Sequence, residues 1–588
     1  MLHITPPGFQ YLFRLVFPQV ISVIVVYQAL IINGQRPSFS TYSTWLYFLV
    51  ALFAYPAYLV VRSWYHDFRH ARRAAELGAV RPPIVKESSS SILSAIITSF
   101  REGYIGDCFF EWHKQYGHIY RLRIYGEERM MTVEPEHIKA ILATQFENFE
   151  KGPVVFHQFY SFLGLGVFNS DGDRWKFHRN LTRPFFSRNR ISDFDNFDRH
   201  TEDTISIIKT RLAQGYPVDF QDAVARFTLD SATEFLFGKD VGSLGANLPY
   251  PAGSPLAQDP SILDHPSNVF VRAFMKGQTA TAYRARFGWH WPLKEFWSDK
   301  VLPHRLKFVN PILEQRKAQR LAMTATEKAD GEGETLLDHL IEYTEDPQVI
   351  KDELVNILVA GRDTTASLLT FCIYVLTERP DITEKLRREI VEKVGVSARP
   401  TYKVISEMKY LRAFVNETLR LYPGVPFDGR STKNSIVLPG INGQLGYYIP
   451  AGVRCQYSVF LMHRREDLWG PDALEFDPER FIDERLHKYL TPNPFIFLPF
   501  NAGPRICLGQ LFAYNETSYF LIKFLQAFTD FQIAWDVQPE SSKPPVSWIP
   551  MAGTTKGRDK VLKSSSLTMS VKEALWVRMK DISLVEAT

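Results

Sequence analysis

Phe497–Gln510 reads FLPFNAGPRICLGQ. Within it Phe500, Gly503, Arg505, Cys507 and Gly509 follow the spacing F-x-x-G-x-R-x-C-x-G, and a helical run, QLFAYNETSYFLIKFLQAF, begins directly after the last glycine. A lone cysteine is usually a small buried hydrophobe. This one sits where a helix amino terminus and a nearby arginine both favour thiolate, the form of sulfur that binds metal. The glycines let the backbone pass close under a flat cofactor and aim N–H groups at the sulfur. The choice between packing residue and metal ligand turns on the rest of the chain.

That chain has 588 residues, 45% hydrophobic and 14% aromatic, which implies a folded protein with a large core and room for an apolar ligand. Disorder on the large scale is excluded. With 68 basic and 64 acidic residues the net charge is only +4, too mild for a nucleic-acid binder without a localised basic stripe. The other cysteines, Cys108, Cys372 and Cys455, are scattered and form no C-x-x-C pair. This argues against a disulfide framework or structural zinc and fits a reducing compartment.

Residues 1–62 read as a membrane anchor with two apolar segments, 15–32 (LVFPQVISVIVVYQALII) and 43–61 (STWLYFLVALFAYPAYLVV), each near the roughly 20 residues needed to cross a bilayer. The second is the cleaner span. Pro18, Gln19 and Gln28 interrupt the first, leaving open whether it spans or lies in the interface. A cleaved signal peptide is disfavoured, because a small-residue cleavage site is missing and a second apolar run follows closely. Arg62, Arg69, Arg72, Arg73, Arg81 and Lys86 crowd the exit of the second run, against Arg36 alone before it, which places the remaining chain on the cytosolic side.

Residues 63–91, basic and then rich in proline and serine (RPPIVKESSSS, Arg81–Ser91), read as a hinge, and 92–588 as one large domain. PYPAGSPLAQDP (Pro249–Pro260) and EKADGEGE (Glu327–Glu334) are loop signals inside it. Alternation predicts strands in HIYRLRIYG (His118–Gly126), RMMTV (Arg129–Val133) and LTMSVKEALWVRM (Leu567–Met579); most of the rest has helical spacing. The fold class is therefore mainly α with small β-sheets. Pro347 and Pro380 bracket PQVIKDELVNILVAGRDTTASLLTFCIYVLTER, a single helix of nearly 50 Å at about 1.5 Å per residue.

The middle of that helix breaks the rules. AGRDTT (Ala360–Thr365) puts poor helix formers where alanine or leucine is favoured, and its hydroxyls can bond back to carbonyls one turn earlier, bending the helix beside small residues. A satisfied polar patch at a packing contact is the bland alternative. ETLR sets Glu417 and Arg420 on one helix face; exposed, such a pair contributes little, whereas buried and shared with Arg480 of DPERF it would be structural.

Taken in order, the cysteine loop, A-G-x-D-T-T, E-x-x-R, D-P-E-R-F and WKFHR (Trp175–Arg179) resemble the motifs of the cytochrome P-450 superfamily, the haem-thiolate monooxygenases, from about residue 80 onward. LGLGVFNSDGDRWKFHRNLTRPFF and AGRDTT resemble the fungal branch that hydroxylates n-alkanes and fatty acids. The resemblance implies haem b with Cys507 as the axial thiolate to iron, and a cofactor cradle that includes Phe500 and Gly509. It implies that Trp175, Arg179, Arg430 and Arg505 hold the propionates, and that Asp363 and Thr364 form the acid and alcohol of a proton relay. No role follows for Arg362. It further implies a small apolar substrate drawn from membrane lipid, a protein of the endoplasmic reticulum, and electrons from NADPH through a separate flavoprotein cytochrome P-450 reductase, since no flavin or nicotinamide domain fits in the remaining length.

Three rivals stand beside this. Related fungal enzymes oxidise aromatic and polycyclic compounds with the same chemistry. A haem-binding isomerase or carrier would need no oxygen activation, but the chain retains Asp363 and Thr364. A di-iron hydroxylase needs several histidine clusters, whereas His66 and His70 stand alone at helical spacing, and the H-E-x-x-H signature of zinc proteases is absent.

Overall fold

The computed structural model describes residues 6–32, 42–187, 194–305, 335–344, 346–551 and 555–585. Two helices come first, α1 (Pro7–Ile32) and α2 (Tyr42–Glu76). Among the described residues α1 is the helix long and apolar enough to cross a membrane, over Pro7–Ala29 with a mean hydropathy of 1.7. Pro18 lies inside it without ending it. The segment 43–61 lies within α2, and many of its side chains fall outside the described residues.

Residues 63–91 carry helix, β-bridges and a helix cap. α2 continues to Glu76, where Asp67 receives Arg123 Nη2 at 2.7 Å and Arg81 Nη1 at 2.9 Å. Ala74 packs with Ala79 and Tyr448. Val80 and Ile84 then form β-bridges to Tyr447 and Arg121, and Ser88 caps the next helix, Ser89–Glu102, by accepting from Ser91 N–H. The prolines and serines serve edge pairing and capping here, so the two amino-terminal helices join the rest of the chain through a tied segment.

The body is mainly α, as its spacing predicts. The helices that frame the site are α3 (Gly152–Leu163), α4 (Gly172–Thr182), α5 (Phe220–Phe237), α6 (Pro266–Phe287), α7 (Pro347–Glu378), α8 (Lys409–Leu421) and α9 (Gln510–Ala527). The strands are β1 (Ile119–Ile124), β2 (Glu127–Thr132), β3 (Phe149–Glu150), β4 (Val218–Asp219), β5 (Asp428–Thr432), β6 (Ile436–Leu438), β7 (Tyr447–Ile449), β8 (Arg454–Tyr457), β9 (Phe528–Ile533), β10 (Lys563–Ser565), β11 (Met569–Val571) and β12 (Trp576–Asp581). They form one five-stranded sheet in the order β1-β2-β8-β5-β3, a three-stranded sheet β4-β12-β9, and two pairs, β6-β7 and β10-β11. β1 and β2 turn through Tyr125 and Gly126, with φ of 46° and 87°, the left-handed pair that a two-residue hairpin demands.

α7 runs through the core with α5, α8 and α9 packed along it. Asp346 caps it by accepting from Gln348 N–H, and Pro347 occupies its first turn. The helix stays α-helical through Ala360–Thr365: Thr364 Oγ1 donates to Ala360 O at 2.7 Å, satisfying the hydroxyl without breaking the ladder.

The amino-terminal half of α7 is polar for a different reason. Asp352 and Asn356, both buried, read the backbone of the loop after α3: Leu165 N–H donates to Asp352 Oδ2 at 2.7 Å, Phe168 N–H to Asn356 Oδ1 at 2.9 Å, and Asn356 Nδ2 to Leu163 O at 2.7 Å. A Cβ on Gly164, whose φ is +60°, would stand 2.1 Å from the Asp352 carboxylate, and one on Gly166 would stand 2.3 Å from Asn356 Nδ2. The two glycines of LGLGVFN are the condition for that close approach.

Glu417 and Arg420 of α8 are fully buried and paired at 2.6 Å. Arg420 Nη1 also donates to the carbonyls of His463 at 2.7 Å and Ala473 at 2.6 Å, and Arg480 Nε lies 3.6 Å from Glu417. The pair is buried and shared with Arg480, which makes it a brace for the chain that leads into the cysteine loop.

Candidate haem site

Cys507 lies deep among protein atoms with its side chain accessible. Its loop is closed by Cys507 N–H donating to Phe500 O at 3.0 Å, and the Phe500 ring packs 5.1 Å from that of Tyr514 on α9. Gly503, with φ of +68°, passes so close to the chain before it that a Cβ would stand 1.9 Å from Leu142 O. Gly509 N–H donates to the sulfur. Burial pushes the thiol up, and the Gly509 N–H and the Arg179 charge only partly offset it. The sequence pattern predicts that a helix end and the neighbouring Arg505 favour thiolate; the Gly509 N–H at the helix end does so, Arg179 takes the place of Arg505, and burial outweighs both. A metal cation bound at the sulfur would favour deprotonation and couple ligation to proton release.

Trp175, Arg179 and Arg505 converge on this loop. Arg179 Nη2 donates to Ile506 O at 2.8 Å, and the guanidinium of Arg505 lies 4.5 Å from the centroid of the Trp175 ring. Arg505 Nη2 donates to Ser170 O at 3.0 Å and Asp171 Oδ1 at 2.7 Å. Arg179 is the arginine whose charge bears on the sulfur, while Arg505 faces Asp171.

Asp171 connects this group to a second one. Its oxygens accept the N–H groups of Lys151 at 2.8 Å and Gly152 at 3.0 Å. Lys151 Nζ in turn donates to Asp428 Oδ1 at 3.1 Å, and Arg430 Nη1 donates to Asp428 Oδ2 at 2.9 Å. Tyr457 and Asn501 close on the same carboxylate oxygen at 3.1 Å each. Burial alone would raise the Asp428 carboxyl, but Arg430 and Lys151 hold it well below the usual carboxylate range. The same crowding shows on the cations. Burial and then Arg430 bring Lys151 down to about 8 and Arg505 down to about 10. Arg430 is buried and its Nε has no hydrogen-bond partner among the described residues.

Lys151, Arg430, Arg505 and Arg179 thus press positive charge toward one region, answered mainly by Asp428 and Asp171, with a buried donor to spare. Such a set fits a cofactor that carries carboxylates beside an accessible sulfur. Lys151, Asp428 and Asp171 carry no motif and escape sequence reasoning; Lys151 directly follows the edge strand β3, and that is its one local signal.

Asp363 and Thr364 lie on α7, half-buried where the residues on either side of their turn are buried. Gly424, in the loop after α8, approaches Thr364 so closely that a Cβ would lie 3.5 Å from that of the threonine. The two relay candidates are therefore placed by α7 and the 422–427 turn, separately from the arginine cluster.

The family model described as Cytochrome P450 matches residues 92–556. Among curated proteins the chain is similar to a Fusarium protein named Cytochrome P450 monooxygenase g430, at 33% identity over 494 residues, 81% of this chain and 84% of that one. It is also similar to Cytochrome P450 52A3-A of Candida maltosa, at 38% identity over 415 residues, 68% of this chain and 75% of that one. Cytochrome P450 52A6 of Candida tropicalis is 36% identical over 479 residues, covering 79% and 83% of the two chains.

Proposed function

The chain belongs to the cytochrome P450 family of monooxygenases, and on that premise we propose that it hydroxylates a long apolar chain, an n-alkane or a fatty acid, drawn from the membrane that holds its amino terminus. Haem b, when bound, supplies the oxygen activation, with the second oxygen atom of O2 leaving as water. Every remaining task falls to this chain's own residues.

Cys507, held by the Phe500 carbonyl and the Gly509 N–H, would bind the haem iron through its sulfur. Trp175, Arg179, Arg505 and Arg430, with Lys151, take the propionates; the surplus of cations around Asp428 and Asp171 supports this. Asp363 holds a proton at its carboxylate and passes it by way of the Thr364 hydroxyl.

The substrate assignment rests on one observation. The start of α1 is seated on Gly288–Lys294, with Tyr11 Oη 2.5 Å from His290 Nδ1, and Trp289, Leu293 and Trp297 are exposed beside it. An apolar helix touching the body there supports entry from lipid, where apolar chains concentrate. The body faces the cytosol, at the endoplasmic reticulum. Electrons come from NADPH through a separate flavoprotein reductase, docked against the outer side of the cysteine loop, where Arg183, Phe186 and Leu508 line a depression of about 480 Å³.

Titrating the purified haem protein with alkanes, fatty acids and polycyclic aromatics, and following the low-spin to high-spin shift, tests the substrate class. Long-chain compounds are expected to give the shift; a shift with aromatics alone would overturn the assignment.

A further inference from the structure

Both oxygens of Asp363 are engaged. Arg362 Nη1 donates to Oδ1 at 2.6 Å, and Nε2 of Gln278, on α6, donates to Oδ2. Arg362 is only 3% exposed and is itself enclosed by α6: its Nη1 lies 3.3 Å from Met275 Sδ and its guanidinium 5.4 Å from the centroid of the Phe274 ring. Gln278 is 1% exposed. Gln278 Oε1 and Arg362 Nε have no hydrogen-bond partner among the described residues, so a buried amide and a buried guanidinium are both turned toward one carboxylate at the cost of other bonds. Packing between α6 and α7 would be met as well by an apolar side chain of similar volume.

We propose that Gln278 is a positioning residue for Asp363, holding one carboxylate oxygen so that the acid does not close entirely onto Arg362 and stays aligned for proton transfer toward Thr364. This rests on the reading of Asp363 and Thr364 as the proton relay. Arg362 is next to Asp363 in sequence and charged, so left alone the two favour a bidentate pair with both oxygens consumed. Gln278 comes from another helix and adds no charge; it can hold Oδ2 and release it when α6 shifts by a fraction of an ångström. Gly288–Lys294, which meets α1, directly follows α6, so the segment that touches α1 continues the helix that carries Gln278.

The test compares wild type, Gln278→Leu, Asp363→Ala and the double variant as ferric haem proteins and in turnover. Hydrogen exchange of amides 270–282, measured without turnover, is expected to rise about three- to tenfold in each single variant and no further in the double, because both remove the same bond. In turnover, Gln278→Leu is expected to lower product formed per reductant severalfold. In the Asp363→Ala background the same substitution should leave that ratio where Asp363→Ala alone puts it, since the carboxylate that Gln278 holds is gone. Merely structural packing would lower the ratio again in the double variant. Unchanged exchange, additive exchange or a further fall of the ratio in the double variant overturns the proposal. Normal coupling in Asp363→Ala would instead sink the relay reading, and the clamp would then stand or fall on exchange alone. If the leucine variant does not retain haem, Gln278→Met, similar in shape and without the amide, replaces it.

Discussion

Lys151 Nζ stands 3.1 Å from Asp428 Oδ1, with Arg430 bonded to the other oxygen of the same carboxylate. One carboxylate cannot serve two buried cations equally, and burial together with Arg430 brings Lys151 down from 10.5 to about 8. In the haem-free chain the ammonium is therefore a cost below about pH 8. That cost fades as pH rises toward 10.5, because the unfolded chain keeps a proton that the folded one gives up.

Haem propionates reverse this by favouring the charged lysine. Release of the Cys507 proton should make haem affinity rise with pH, by at most about tenfold per pH unit, and above about pH 8 the Lys151 contribution should cancel that rise. Lys151→Met should bind haem more weakly at pH 7 and keep rising between pH 8 and 9.5, where wild type levels off. Transfer of haem to an excess of apomyoglobin measures both. An identical slope in the variant would remove Lys151 from the cradle.

Ser231 Oγ donates to Glu516 Oε1 at 2.7 Å between α5 and α9, and Oε2 of the same fully buried carboxyl has no partner among the described residues. Burial pushes it from 4.5 up to about 8. The folded chain binds this proton more tightly than the unfolded one, so the stability it contributes is complete below pH 4.5 and is lost as pH rises through about 8. Glu516→Gln, neutral at every pH, should gain on wild type between pH 5 and 9, by on the order of a few kcal/mol at the alkaline end. Thermal melting across that range checks it; parallel curves would mean that the carboxyl is already ionised.

Breaking the Glu417–Arg420 pair leaves two buried guanidinium groups short of an anion. Glu417→Ala should cost about 3–5 kcal/mol and yield a chain that does not retain haem, although no atom of Glu417 belongs to the cradle. Expression with a readout of haem per polypeptide measures it. Full haem content in the variant would show that the pair does not brace the cysteine loop.

Thr364 bonds back to Ala360 O, so its hydroxyl is held in place on the helix. Thr364→Ala should leave haem binding and the resting spectrum intact. Product per reductant should drop severalfold and hydrogen peroxide should rise, while the rate of product formation falls by up to the roughly 10²–10⁴ that positioned acid–base groups contribute. Unchanged coupling would take Thr364 out of the relay.

The parts of the fold that sequence reveals are those written in local pattern. The period of α7, the hairpin β1-β2 and the spacing around Cys507 each depend on residues within one element or turn, and each appears where the pattern puts it. Lys151, Asp171 and Asp428 are far apart in sequence and are brought together by the pairing of β3 with β5 and by the loop before α4, which no single-sequence pattern encodes. Gln278 is hidden for the same reason, being one polar residue on the inner face of α6. Residues 63–91 read as a hinge from composition, and composition does not tell that Asp67 and Arg81 within them form a network with Arg123 or that Pro82 and Pro83 precede edge pairing. Thiolate at Cys507 was legible as a tendency, and burial, which only the packed structure contains, reverses it until metal binds.

The most direct test is the carbon monoxide difference spectrum of the reduced protein, for wild type and Cys507→Ser. Wild type should show the long-wavelength Soret band that thiolate ligation gives, and the serine variant should lose it or lose haem altogether. A wild-type band at the position of imidazole-ligated haem, or a serine variant with an unaltered spectrum, would contradict the assignment of Cys507 on which the account depends.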